Sequence, residues 1–319
     1  MMTREEILKA QEIYMSESGI MIPVIEKNVG YIFDRSSLTW SVQKRYYSWK
    51  VYHTAISGEE AIDLMDRWQA ESDADNDKLN RAITFAVEKH AGQVRKSTNI
   101  PYIVHPMEVL QILYSVRADK DVLIAGVLHD TVEDTDTSLE EIRELFGDRV
   151  AELVASNSED KSKTWDERKQ HTIDELATAS DKVQMLILAD KLSNLRSIAH
   201  DYSELGDKVW DRFNASKEKQ AWYYSGIQDA LYDMQFQEDC RSAYWEFVGL
   251  FKDVFVQYLY DEGAEAVYQI CDDGGAYRCA KSDCQWCEVS GIADIPEGLE
   301  RLARRDAEFL EDVWRMNIE

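Results

Sequence analysis

The sequence predicts a mainly α-helical core with small mixed α/β regions on either side. Three observations carry that prediction. Apolar residues recur with a helical period from about residue 77 to 235. Capping pairs and a helix-stopping glycine punctuate the same stretch. Runs rich in β-branched and aromatic residues are confined to the two ends.

The first region, 1–75, opens on a short helix predicted over Arg4 to Met15. Strand-like runs follow at Tyr31 to Phe33, Leu38 to Trp40 and Trp49 to Tyr52. Ser57 and Glu60 have capping-box spacing and start a second helix. The polar run Glu71 to Asn76 is read as a linker.

Within 77–235, Leu79, Ala82, Ile83, Ala86 and Val87 keep a helical period. The next helix has Pro106 near its first turn, where a missing N–H costs nothing, and its apolar face is Val109, Leu110, Leu113 and Val116. A third helix is expected from about Lys120 through Asp134. A fourth starts at Ser138, with Glu141 completing its capping box, and stops at Gly147. Further helices are predicted over 148–156, 166–177, 181–198 and 214–235. The last region, 240–319, reads as a helix through Trp245 to Tyr260, a β-like stretch (Val267 to Ile270, Ala276 to Cys279, Trp286 to Val289) and a helix from Glu297 to Trp314. The two end regions are weakly alike: Tyr31-Ile-Phe-Asp resembles Tyr268-Gln-Ile-Cys-Asp, and each is followed by a tryptophan and a helix.

Charge narrows the partners. With 36 basic and 61 acidic residues among 319, the net charge is −25. Such a surface repels nucleic acid and anionic membranes. An anionic substrate would need a local basic patch or a bound metal. The apolar run Val122 to Val127 is too short for a bilayer. Met1 to Lys9 lacks the basic start and apolar stretch of a signal peptide, so the expected compartment is the cytoplasm. All five cysteines follow residue 239. Cys271, Cys279, Cys284 and Cys287 are spaced C-x7-C-x4-C-x2-C, and one CxxC pair can hold zinc. The outer spacings fit no zinc pattern, so reduced cysteines of a cytosolic protein are the competing reading.

The chemistry concentrates in Leu128-His129-Asp130-Thr131-Val132-Glu133-Asp134-Thr135, which follows the apolar run. His129 and Glu133 are four apart, as are Asp130 and Asp134, so each pair shares a helical face. A carboxylate on a buried helix is costly unless it is paired or ligates a metal. Asp190 and Asn194 lie on or beside the apolar stripe of Val183, Leu186, Ile187 and Leu195, and His105 stands at a helix entrance. His105, His129, Asp130 and Asp190 make a two-histidine, two-carboxylate set that suits Mn, Fe, Co or Zn better than Ca. His53, His90, His171 and His200 are read as satisfied core histidines rather than ligands.

These residues also carry a family resemblance. Lys89-His-Ala-Gly-Gln-Val-Arg95-Lys96, Pro101-Tyr-Ile-Val-His105-Pro106, the His129-Asp130 segment, Phe146-Gly147, Asp160-Lys161, Glu167-Arg168-Lys169 and Leu188-Ala189-Asp190-Lys191-Leu192-Ser193-Asn194-Leu195 resemble the hydrolase domain of RelA/SpoT enzymes, above all the small single-domain alarmone hydrolases. The resemblance covers about residues 77–235. It implies an HD-type all-helical, metal-dependent phosphohydrolase core. It also implies Mn²⁺ on His105, His129, Asp130 and Asp190, and hydrolysis of the 3′-pyrophosphate of (p)ppGpp to GDP or GTP and pyrophosphate. Glu133 and Asp134 match positions tied to catalysis, Arg95 and Lys96 match substrate-binding positions, and Asn194 matches a further active-site position. Lys161 is an additional basic candidate. Ser-Glu-Asp-Lys at 158–161 replaces the family's usual Thr-Asp-Asp-Lys, and no synthetase motifs are found. Two other readings stand beside this one. One is an HD phosphohydrolase of another nucleotide, such as NADPH or a nucleoside phosphate. The other is a non-catalytic binding protein on an HD core, with the flanking regions as adaptor or dimerisation surfaces.

Overall fold

A computed structural model describes residues 2–24, 29–43, 53–96, 98–157, 161–272, 275–282, 284–290 and 292–316. The chain divides into two compact units, Met1–Asn80 and Arg81–Glu319.

In the first unit a capping box between Thr3 and Glu6 opens helix α1, Arg4–Leu8. The longer helix expected to Met15 is not formed. Tyr14–Ser16 is instead strand β1, because its backbone gains two antiparallel neighbours. Strands β2 (Gly19–Val24), β3 (Val29–Asp34), β4 (Thr39–Gln43) and β5 (Thr54–Ala55) complete a sheet of order β4-β3-β2-β1-β5. Alternation sends Ile20, Ile22 and Phe33 to a core shared with Ile7, Ala61 and Trp68, whereas Met21 and Ile32 face the other side with Tyr14. The expected strand at Trp49 to Tyr52 lies outside the described residues. Helix α2, Gly58–Lys89, starts on the predicted box: the Ser57 N–H donates to Glu60 Oε2 at 2.7 Å and the Glu60 N–H to Ser57 Oγ at 3.1 Å. The helix runs on through the run read as a linker. Those residues are polar because they face solvent, not because the backbone is irregular.

The second unit is helical for most of its length. Helices α3 (Val104–Ser115), α4 (Lys120–Leu128), α5 (Thr131–Asp134), α6 (Leu139–Phe146), α7 (Asp148–Ala155), α8 (Trp165–Leu176), α9 (Asp181–Leu205), α10 (Lys217–Ala230) and α11 (Arg241–Phe255) follow in order. Ser138 caps α6 by accepting the Glu141 N–H, and Gly147 ends it at φ 86°. α4 packs against α3 and α7, and α9 lies against α3, α4 and α11. That arrangement brings the ends of α3 and α4 to the middle of α9.

The helix expected to reach Tyr260 ends at Phe255. Val256–Asp261 is strand β6, paired with β7 (Ala266–Cys271). Strands β8 (Ala276–Ala280), β9 (Trp286–Glu288) and β10 (Glu300–Leu302) complete a second sheet of order β10-β6-β7-β8-β9. The final helix α12 therefore begins at Arg304 rather than Glu297, the intervening residues forming a turn and β10.

Candidate active site

All seven residues from Val122 to Leu128 are buried. A helix that is apolar all round belongs to a core, and this one carries His129 and Asp130 into the interior. There the regular helix breaks for a local reason. His129 Nδ1 sits 2.8 Å from the Gly126 carbonyl, and Thr131 Oγ1 donates to the Leu128 carbonyl at 2.7 Å. Side chains thus occupy carbonyls that would continue the ladder. The single helix expected through Asp134 becomes α4 and α5, with the His-Asp pair at the junction.

His105 arrives from the first turn of α3 and Asp190 from the inner face of α9. Both are buried. His105 Nε2 and His129 Nε2 are 3.2 Å apart. Asp130 Oδ2 lies 3.0 Å from His129 Nε2 and 3.4 Å from His105 Nε2. Asp190 Oδ1 approaches the same two nitrogens at 3.7 and 3.2 Å. Ligands about 2.1 Å from one ion stand roughly 3.0–3.4 Å from each other in octahedral or tetrahedral geometry, so the spacings among His105, His129 and Asp130 suit one ion, with Asp190 Oδ1 beside both histidines.

The tautomers, assigned from the hydrogen-bond network, make the same case. A carbonyl only accepts, so His129 Nδ1 carries the proton. Ser193 Oγ spends its proton on Glu108 Oε2 at 2.8 Å, so it accepts from His105 Nδ1 at 2.9 Å. The Nε2 lone pairs of both rings then face each other and two carboxylates, an arrangement that calls for a positive charge between them. The electrostatics agree. Burial alone would keep His129 neutral, yet Asp130, with Asp190, raises its pKa well above the ordinary imidazole value. Burial pushes both carboxyls up. His129 and His105 outweigh it at Asp130, and Lys191 with both histidines outweighs it at Asp190, so each is held below its usual range.

The family model described as "HD domain" matches residues 82–219. A Danio rerio guanosine-3′,5′-bis(diphosphate) 3′-pyrophosphohydrolase, MESH1, is 41% identical over 123 residues, covering 38% of this chain and 68% of the relative. The chain belongs to the HD-domain family of the MESH1 and SpoT type. An Aquifex aeolicus guanosine-3′,5′-bis(diphosphate) 3′-pyrophosphohydrolase is 42% identical over 125 residues, covering 38% of this chain but only 18% of that much longer relative. The solved structure of a metazoan SpoT orthologue has 31% identity and a TM-score of 0.46, covering 55% of this chain and 94% of that one.

The remaining residues expected in the HD site lie around the four-donor cluster. Asn194 Nδ2 donates to Asp190 Oδ1 at 2.7 Å, and Arg95 Nη2 donates to Asn194 Oδ1 at 3.3 Å. Arg95, exposed Lys96 and Asn194 line one cleft together with Tyr102 and Tyr224. Lys161 Nζ donates to the Glu133 carbonyl at 2.8 Å and lies 3.8 Å from Glu133 Oε1. Arg168 lines a second cleft with Lys163, His171 and Lys191. The expected motif residues Ser158 to Asp160 lie outside the described residues.

Sequence reasoning gave Tyr102 no role, although its motif was noted. Its hydroxyl donates to Asp130 Oδ2 at 2.7 Å and reaches Asp134 Oδ2 at 3.1 Å. Gln93 Nε2 donates to the Asp134 carbonyl at 2.8 Å. Lys191, Ser193 and Glu108 were missed as well. Their i,i+1 or i,i+3 spacing from a ligand was the signal available.

The cysteines do not form the zinc site weighed from their spacing. The cross-strand pairs Val267–Cys279 and Arg278–Cys287, with the two-residue alternation of strands, put Cys271 and Cys279 on one face of the second sheet and Cys287 on the other. Among the described residues, the group able to hold a metal is His105, His129 and Asp130.

Proposed function

We propose that this HD domain hydrolyses the 3′-pyrophosphate of guanosine tetra- and pentaphosphate, giving GDP or GTP and pyrophosphate. The observation that carries the proposal is the buried, convergent His105, His129, Asp130 and Asp190 set beside a cleft lined by Arg95 and Lys96. The relatives' names supply the substrate class. On this reading the hydrolase domain is 77–235, with flanking regions 1–75 and 240–319. The four side chains hold Mn²⁺, the compartment is the cytoplasm, the substrate is the alarmone of the stringent response, and the flanking regions serve oligomerisation.

When bound, such an ion polarises a phosphoryl oxygen and makes water a nucleophile near neutral pH. The chain's own residues do the rest. Arg95 and Lys96 bind substrate phosphates against a molecule of net charge −25. Glu133 orients water and takes its proton. Asp134, held by Tyr102 and Gln93, passes a proton toward the leaving 3′-oxygen. Water's oxygen joins the phosphorus, the P–O3′ bond breaks, and the 3′-oxygen leaves protonated. Lys161, against Glu133, fixes that carboxylate's side of the cleft.

Product analysis over a panel of ppGpp, NADPH and nucleoside phosphates tests the substrate class. Pyrophosphate and GDP from ppGpp in excess over turnover of the others is the expected result. Preferential turnover of another nucleotide would replace the alarmone in this scheme while keeping the ligands.

A further inference from the structure

His105 is tied to a chain of polar groups that the hydrolysis scheme does not use. Its Nδ1 meets Ser193 Oγ at 2.9 Å, and Ser193 donates to Glu108 Oε2 at 2.8 Å. The other Glu108 oxygen receives Arg196 Nη1 at 3.1 Å. Arg196 then grips Glu246 on α11 with Nε and Nη2, at 2.6 and 2.8 Å. Ser193 is fully buried, so its hydroxyl needs both partners. We infer that Ser193 and Glu108 are positioning residues that fix the tautomer and orientation of His105, and that Arg196 and Glu246 anchor this chain to α11, the helix that leads into the second sheet.

The argument is one of donors and acceptors. A serine facing a histidine can donate or accept. The Glu108 carboxylate takes the serine proton and leaves it only to accept. That forces the proton on His105 to Nδ1 and turns the Nε2 lone pair toward His129, Asp130 and Asp190. Arg196 holds Glu108 in place with one charge-assisted bond while its fork grips Glu246. Such outer partners of a metal-binding histidine are worth about 10–100-fold in metal affinity.

The inference rests on the metal reading above, and its test needs no nucleotide. In the full chain, Ser193→Ala and Glu108→Ala are expected to weaken Mn²⁺ binding by about 10–100-fold at unchanged helical content. Ser193→Thr, which keeps the hydroxyl, is expected to retain wild-type affinity, and Glu246→Ala to fall between wild type and Ser193→Ala. The ¹⁵N spectrum of His105 in metal-free protein should report Nδ1–H in the wild type and a mixture of tautomers in Ser193→Ala. Wild-type affinity together with an unchanged tautomer in Ser193→Ala would overturn the inference. A wild type without metal affinity would defeat the metal reading separately, and the tautomer would still decide the role of Ser193.

A second, independent observation concerns the two sheets. Each begins with a helix and a four-strand meander, returns a fifth strand beside the first, and ends in a helix. The register agrees in two of the four ladders: Tyr14 pairs with Met21 as Tyr260 pairs with Val267, and Phe33 with Trp40 as Cys279 with Trp286, whereas the β2–β3 and β1–β5 ladders differ from β7–β8 and β6–β10 by one residue each. Leu38 and Cys284 are both left-handed, at φ 52° and 49°. Tyr31 and Tyr277, Ser36 and Ser282, Trp40 and Trp286, Ala61 and Ala307, and Trp68 and Trp314 are identical and always the same distance apart along the chain. Both alanines are fully buried and both helix tryptophans nearly so. The geometry points to two copies of one module that share their strand order and the buried positions of their closing helices. The register differs from the likeness read in the sequence, which set Tyr31 against Tyr268. Superposition of the two modules in an experimental structure of the full chain should place Trp68 on Trp314. A best fit that leaves Trp40 off Trp286 or Trp68 off Trp314 would refute the duplication.

Discussion

Asp190 illustrates how much one side chain supports. It faces both histidines, accepts from Asn194, and pairs with Lys191 at 2.7 Å, where both side chains are nearly buried. Removing one partner of such a pair leaves a buried charge uncompensated, at a cost of about 3–5 kcal/mol. Asp190→Ala is therefore expected to lose the metal and also to unfold at markedly lower denaturant. His129→Ala should lose the metal while its circular dichroism stays helical. Retained stoichiometric metal in either variant would contradict the ligand assignment. The convergence of His105, His129, Asp130 and Asp190 was legible because three of them are polar residues out of place on apolar helices and His105 stands at a helix entrance. Ser193 and Glu108 were not, because a serine and a glutamate one turn from a ligand look like ordinary surface chemistry until α3 and α9 are packed together. Arg95 and Asn194 meet across 99 residues, a distance no local pattern spans.

Among the elements, capping chemistry was the most legible feature. The box at Ser57 and the cap at Ser138 open helices where the sequence places them, although at Ser138 only the Glu141 N–H to Ser138 Oγ half of the expected box is present. Glu60 is held below the usual glutamate range by the Ser57 N–H. A lowered folded-state pKa gives stability that is present above the unfolded value and lost as pH falls through the folded one. The melting difference between wild type and Glu60→Gln should therefore be largest near neutral pH and close below about pH 4. A difference independent of pH would contradict the box. Ser57→Ala should cost about 1 kcal/mol. At Gly126, an added Cβ would come within 2.3 Å of Leu113 Cδ1 in a fully buried α3–α4 contact. Gly126→Ala is expected to destabilise by about 1–3 kcal/mol, measured by urea unfolding. Strand starts were harder to read. Phe255-Val256 has no glycine or proline between helix and strand, and pairing with β7 decides where α11 stops. The exposed acidic turn of α2 was misread because surface polarity and loop polarity look alike in sequence.

For the whole molecule, the mainly helical centre and β-containing ends were legible, while the two-unit division at Asn80 inside a continuous helix was not. Among the described residues no helix is long and apolar enough to cross a membrane. On the proposed reading the buried donor set takes up a cation, and ion binding is linked to stability. Mn²⁺ at a hundred times its dissociation constant should stabilise the fold by about 2.7 kcal/mol, seen as a rise in Tm that His129→Ala lacks. An equal rise in that variant would mean that the ion binds elsewhere. The most direct measurement is turnover of ppGpp by the purified chain with and without Mn²⁺, beside Asp130→Ala, with nucleotide products resolved by chromatography. Metal-dependent release of pyrophosphate and GDP by the wild type alone is the predicted result. A metal-loaded wild type that leaves ppGpp intact, or an Asp130→Ala variant that matches wild-type turnover, would contradict it.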